Sequence, residues 1–226
     1  RPEKIHTLLI STKDFRPLLD NDGLRNLVKR CDQVCMNLTL TGLGGTRIEP
    51  NVPDQNVLLD RLGELVDYVG DPRRILWCFS PVLSYQGISN FSIDIFASIA
   101  TSFAREGISK VVLTFYIPYE SSTILPDQID REKQLAFAQQ VDILTKSLKM
   151  QMSICKMKNY HRLRCVDMKT YSELHPHKDN SVVEYYQKMK KPHGHCRDAI
   201  WDIGWYLPRC RHACLYCYGL AQKINR

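Results

Sequence analysis

A parallel α/β sheet of about six strands, rolled into an open or partial barrel, is the fold the sequence predicts. Three observations point to it. Short apolar runs alternate with segments of helical period along the chain. The length of 226 residues and the hydrophobic fraction of 44% suit one domain with a sizeable core. A cysteine-dense loop directly follows the last apolar run, and parallel βα folds place reactive groups on loops after the C-terminal strand ends.

The first strand is expected over Ile5–Ser11 and the second over Val34–Thr41, which alternates before a glycine turn. Ile75–Phe79, Val111–Ile117 and Met150–Cys155 continue the series, and Ile200–Tyr206 ends it. Between them, Leu58, Leu62, Leu65 and Val69 share a helical face behind a capping Asp54, and Ile95, Ile99 and Phe103 do so before Gly107. Leu135, Ala138, Val141 and Leu148 line one face of a charged helix starting near Asp130. Helices between successive strands imply right-handed crossovers and parallel pairing. Residues 157–199 break the rhythm and read as loop with short helix, within a single domain over 1–226. Gly42-Leu43-Gly44-Gly45 lacks the spacing of a dinucleotide loop and reads as a turn.

Composition narrows the class. No apolar run approaches the roughly 20 residues of a membrane span. The chain opens at Arg1 with neither a methionine nor a secretory apolar segment, which reads as a processed product or part of something longer. Nine cysteines, an odd count with metal-ligand spacing, fit a reducing compartment, cytosol or organelle matrix, better than a disulfide scaffold. Residues 1–150 carry 17 Lys+Arg against 18 Asp+Glu, whereas residues 151–226 carry 14 against 6. The whole surplus therefore lies in the last third, at Lys156, Lys158, Arg162, Arg164, Lys188, Lys190, Lys191, Arg197, Arg209 and Arg211. Such a field suits nucleic-acid contact across 156–211, compensation of a negatively charged metal centre, or plain solvation; no nucleic-acid-reading motif accompanies it.

The chemistry concentrates in CRHACLYCY. Cys210, Cys214 and Cys217 form C-x3-C-x2-C, with Tyr216 directly before the last cysteine. Thiolates at this density select an iron–sulfur cluster or zinc, the latter completed by a nearby histidine; three buried thiols are the remaining reading. The spacing and the aromatic also resemble the cluster loop of radical S-adenosylmethionine enzymes, in which three cysteines hold a 4Fe-4S cluster whose fourth iron stays open. In those enzymes the loop follows the first strand, whereas here it follows the last.

Cys196 followed by DIGWYLPRCRHACLYCYG from Asp202 resembles the C-terminal pattern of the family called domain of unknown function 1848. ISTKDFRPLL (10–19), NLTLTGLGGTRIEPNVP (37–53) and RRILWCFSPVL (73–83) are similar to further segments of that family, as are the surroundings of Cys155 and Cys165. The resemblance implies a TIM-like partial (β/α)6 barrel akin to radical S-adenosylmethionine enzymes, with the cluster loop moved to the C-terminus. It implies a 4Fe-4S cluster on Cys210, Cys214 and Cys217, with S-adenosylmethionine as cofactor and Tyr216 at its adenine. Lys13, Thr39, Thr41, Ser80 and Thr114 are the strand-end candidates for cofactor or substrate contact. Cys78 and Ser80 stand where the family carries arginine and aspartate, so the polar surroundings of the loop are depleted. Two expectations follow: an enzyme with a different substrate, or a non-catalytic iron–sulfur domain docking on nucleic acid or a larger assembly.

Other candidates remain open at this level. Cys196, with His193 and His195, is placed to supply a fourth ligand, or Cys155, Cys165 and Cys196 to form a second centre. Cys31, Cys35 and Cys78 read as core thiols, since buried cysteine behaves as a small hydrophobe. His175-Pro176-His177 reads as an exposed turn, with zinc binding as the alternative.

Overall fold

The computed structural model describes residues 5–118, 122–160, 163–188 and 210–217. Five parallel strands form the sheet: β1 (Leu8–Thr12), β2 (Val34–Thr39), β3 (Ile75–Val82), β6 (Lys110–Phe115) and β7 (Gln151–Ile154). They lie side by side in chain order, β1-β2-β3-β6-β7, in register pairs such as Ile10 with Met36, Leu38 with Trp77, and Trp77 with Val111. The expected sixth strand, Ile200–Tyr206, lies outside the described residues. A small hairpin, β4 (Ser84–Tyr85) and β5 (Ile88–Ser89), follows β3. Its two-residue loop, Gln86-Gly87, holds both residues at positive φ, the primed-turn geometry that tight hairpins favour.

The connections are helical, as the periodicity predicts. Helices α1 (Arg16–Asp20) and α2 (Asp22–Val28) join β1 to β2; α3 (Gln55–Leu59) and α4 (Leu62–Val69) join β2 to β3. Helix α5 (Ile93–Arg105) follows the hairpin, and α6 (Arg131–Ser147) joins β6 to β7. Asp54, Ser92 and Asp130 cap α3, α5 and α6 by accepting early backbone N–H groups, which fixes where each helix begins. Leu58, Leu62, Leu65 and Val69, read as one helical face, are divided between α3 and α4. Arg61 leaves helical geometry between them and uses its guanidinium to bridge Asp20 and Glu64. On α6 the buried face is Phe137, Ala138, Val141 and Thr145, while Leu135 points outward.

One face of the sheet carries the main core. Trp77 and Phe79 of β3 meet Phe96 and Phe103 of α5, with Trp77 stacked on both phenylalanines at 4.8 and 4.9 Å between ring centres. Trp77 also donates its indole N–H to the Leu40 carbonyl at 2.9 Å, so the ring is buried without an orphaned donor. Residues of α1 to α6 join this single apolar cluster, so these helices share one side of the sheet.

The opposite face is different. Its N-terminal half is covered by the segment after β7, which runs through α7 (Met168–Glu173) and on to α8 (Ser181–Lys188). Val166 and Tyr171 pack with Cys35 and Leu9 there. Polar tethers from successive strands hold this segment. The Gln33 amide donates to the Tyr171 carbonyl, Asn37 to that of Cys165, and Arg74 to that of Leu174. Lys110 reaches Asp167 at 2.6 Å and Thr170 at 2.7 Å. His6, just before β1, stacks on His175 with ring centres 4.0 Å apart. His175 is therefore buried and the expected exposed turn is confined to its neighbours, because its ring stacks on His6 and faces Asp32. Among the described residues no helix is long and apolar enough to cross a membrane.

Candidate functional site at the C-terminal strand ends

The residues singled out from the sequence gather mostly toward the C-terminal strand ends, on the sheet face opposite the main core. Strand alternation puts Cys78 and Ser80 of β3 opposite Trp77 and Phe79, and Thr39 and Thr114 on that same side. All four are half-buried, whereas their core-facing neighbours are fully covered. The Cys78 thiol is pushed up to about 12 by burial, with Cys155 adding to the rise; Lys13 and a hydrogen bond with Thr39 act against it. Cys155 directly follows β7, its backbone N–H bound to the Leu113 carbonyl at 2.9 Å. Cys165 sits on the covering segment instead, and Cys196 lies outside the described residues. Cys31 and Cys35 are buried core thiols, as the sequence predicts, whereas Cys78 is only partly buried.

The cysteine loop docks beside this half-face. Leu215 is its backbone anchor, donating to the Ile48 carbonyl at 3.0 Å and accepting from the Thr123 N–H and hydroxyl at 3.1 and 2.7 Å. The Asn51 side-chain amide donates to the Arg211 carbonyl at 2.8 Å. Ala213 adopts a left-handed φ of 52°, turning the chain just ahead of Cys214, and the Cys217 N–H closes a turn onto the Cys214 carbonyl at 3.0 Å. Cys214 and Tyr216 pack into an apolar cluster with Leu43, Ile48, Val52, Leu83 and Ile124. The glycine turn makes that approach possible: a Cβ on Gly44 would lie 2.0 Å from the Pro53 carbonyl oxygen, so only glycine lets the 41–53 segment fold back on itself.

At the centre is Glu49, which sequence reasoning passed over. Its carboxylate is 1% exposed, and Oε1 accepts from Lys13 Nζ at 2.9 Å, from the Thr41 hydroxyl at 2.8 Å and from the Tyr216 hydroxyl. Lys13 lies past the end of β1 and Thr41 past the end of β2, so one oxygen ties two strand ends to the cysteine loop. The Lys13 ammonium also sits 5.6 Å from the centre of the Tyr216 ring. Burial, followed by the Glu49 charge, keeps the Tyr216 phenol protonated well above its ordinary range. The signal for Glu49 was present: it is the one acidic residue between Asp32 and Asp54, set in Ile-Glu-Pro. Asn90 was also missed. Fully buried, it receives the Leu83 N–H and donates to the Thr41 and Pro81 carbonyls, which ties the loops after β2 and β3 together.

None of Cys210, Cys214 and Cys217 is in a disulfide. Cys214 is pushed up to about 12, burial being the main cause and Lys13 a partial offset. As a donor set, three thiols within eight residues suit an iron–sulfur cluster or zinc. Among the described residues, however, no three His, Cys, Asp or Glu side chains are already grouped to hold a metal ion. Metal capture would therefore need the cysteines of this loop to turn toward a common point. Of the basic residues in the last third, Lys156, Arg164 and Arg211 are exposed; the side chains of the others named lie outside those described.

Fold and site together define an α/β protein with a parallel sheet and a cysteine loop docked at its C-terminal edge. The chain belongs to the DUF1848 family, a domain of unknown function, whose model matches residues 1–219. No curated protein and no solved structure matches it.

Proposed function

We propose that this chain is an iron–sulfur protein whose Cys210, Cys214 and Cys217 hold a 4Fe-4S cluster, and that it works as a radical S-adenosylmethionine-type enzyme. The observation that carries the reading is the docking of a C-x3-C-x2-C loop, with none of its thiols in a disulfide, at the C-terminal strand ends beside a polar half-face. A partial barrel suits the same reading, because α1 to α6 share one side of a sheet in chain order and leave the other side for a lumen. When bound and reduced, a cluster of this kind supplies an electron that cleaves S-adenosylmethionine to a radical capable of abstracting hydrogen.

The chain's own residues have separable tasks in this proposal. The three cysteines bind the metal centre. Glu49 and Thr123 hold the loop that bears them. Lys13 places a positive charge at the rim, where it partly offsets the burial that keeps Cys214 and Cys78 as thiols. Thr39, Thr41, Ser80 and Thr114 offer hydroxyls to orient a bound molecule, although Thr41 is already committed to Glu49. The covering segment at the N-terminal half excludes water from beneath. Cys155 and Cys165 stay outside this scheme.

Anaerobic incubation with iron and sulfide, followed by reduction in the presence of S-adenosylmethionine, tests the proposal. Formation of 5′-deoxyadenosine is expected. A well-formed cluster that leaves the cofactor intact would favour the non-catalytic alternative, a domain docking through its basic last third. Salt-sensitive retention of nucleic acid would then identify the partner class. Stoichiometric zinc without sulfide would overturn both.

A further inference from the structure

We propose that Glu49 is the positioning residue of the cysteine loop: through the Tyr216 hydroxyl it holds Cys214 and Cys217, which flank that tyrosine, seated against the fold. The consequence for metal rests on the iron–sulfur reading above, whereas the anchoring itself stands on geometry alone.

A carboxylate buried to 1% exposure is costly unless its charge is met and its oxygens bonded. Ile48 and Val52, its neighbours in the turn, already pack with Cys214 and Tyr216, and an apolar side chain at position 49 would extend that cluster without the cost. The turn carries a carboxylate instead. Lys13 supplies the compensating charge, Thr41 a second bond, and Tyr216 a third, all on the same oxygen. Every one of those donors comes from a different segment. Three points of the fold thus converge on one atom, and of the three only Tyr216 belongs to the cysteine loop.

Contacts at Leu215 and, through Asn51, at Arg211 and His212 fix the path of the loop. The Tyr216 side chain adds the inward tie, because it reaches Glu49 while its ring lies beside the Lys13 ammonium. The turn that binds the Cys217 N–H to the Cys214 carbonyl makes the two thiols move together with that ring. Losing the Tyr216–Glu49 bond is expected to let this turn lift from its apolar seat.

Tyr216→Phe removes one hydroxyl and leaves the Lys13–Glu49 pair intact, while Glu49→Gln keeps the shape and removes the charge; Glu49→Asp is the conservative rescue. The readout is the rate of alkylation of Cys214 by iodoacetamide, followed by mass spectrometry, with buried Cys31 as the internal reference and thermal unfolding as the check on folding. In both Tyr216→Phe and Glu49→Gln, Cys214 should react faster by on the order of tenfold, as expected for loss of a hydrogen bond to a charged acceptor, while Cys31 stays slow. Should Glu49→Gln fail to fold, Tyr216→Phe decides, with alkylation read at Cys217 as well as Cys214, because the hydroxyl also bonds the Cys214 side chain. After incubation with iron and sulfide and removal of excess, both variants should retain less iron than the wild type, and Glu49→Asp should recover part of it. Unchanged protection of Cys214 in Tyr216→Phe overturns the anchoring. A wild-type chain that takes up no iron, in variants of which Cys214 still opens, overturns the iron–sulfur reading and leaves the anchoring in place.

Discussion

The two faces of the sheet are built from different materials. Toward the helices, β3 presents Trp77 and Phe79, fully covered and stacked or edge-on against aromatics of α5. Toward the other side the same strand presents Cys78 and Ser80, half-buried and polar. A side-chain period of two allows one strand to serve both purposes without compromise. The helical face supplies cohesion, so the opposite face is released from that duty and can carry thiols, hydroxyls and a buried charge. That second face is itself divided: a tethered segment seals its N-terminal half, and the cysteine loop overhangs its C-terminal end.

Variants can break this division at each of its parts. The largest effect is expected on metal uptake. Replacing Cys210, Cys214 or Cys217 singly with alanine should abolish retention of iron after anaerobic reconstitution, measured as iron and sulfide per chain, while circular dichroism stays that of the wild type. Trp77→Ala should do the reverse. It removes the centre of the aromatic stack and should cost about 3–5 kcal/mol in denaturant unfolding, with the cysteine motif itself untouched.

A smaller effect belongs to the seal. Burial pushes the Asp167 carboxyl up, but bonds from Lys110 and Thr170 outweigh it and leave the group below its ordinary range. Lys110→Ala should therefore cost about 1–3 kcal/mol by stripping a partly buried carboxylate of its partner. Hydrogen exchange should localise the loosening to α7, leaving α5 protected.

The smallest effect is a pH dependence of the same seal. Burial, and then the neighbouring His6, lowers the pKa of His175 below its ordinary 6.5, with Asp32 and Asp179 opposing and His177 reinforcing the shift. The folded chain thus keeps this ring neutral, while the unfolded chain protonates it. Stability should be whole above about pH 6.5 and decline as the pH falls below that value. The lowered carboxylates Asp14, Asp71, Asp167 and Asp179 begin to lose their contribution only below their ordinary 3.8. Melting temperatures between pH 7.5 and 5 should consequently show a slope that His175→Gln flattens.

Much of the framework was legible in the amino acids. The five strands fall within or overlap the apolar runs, and Asp54 and Asp130 mark helix starts because a short carboxylate accepts the first free N–H groups. The break at Arg61 was hidden, since Leu58, Leu62, Leu65 and Val69 keep an unbroken helical spacing across it. Gln86-Gly87 carried a hairpin signal that the strand-helix rhythm obscured. The seal was not readable because its tethers join residues far apart in the chain, such as Gln33 with Tyr171 and Arg74 with Leu174. At the site, the thiols and Lys13, Thr41 and Tyr216 declared themselves by type and position. Glu49 did not, because nothing local says that its three donors will come from both ends of the molecule.

That last point bears on how the protein is made. Tyr216 is separated from Glu49 by 167 positions, and Lys13 by 36. During synthesis the ammonium and the carboxylate emerge close together and can find each other, but the phenol follows 167 residues after the carboxylate. Long-range closures of this kind come late and slowly. The rim is therefore a keystone joint: until the segment bearing Tyr216 has been made and docked, the ion pair of Lys13 and Glu49 waits without its cover.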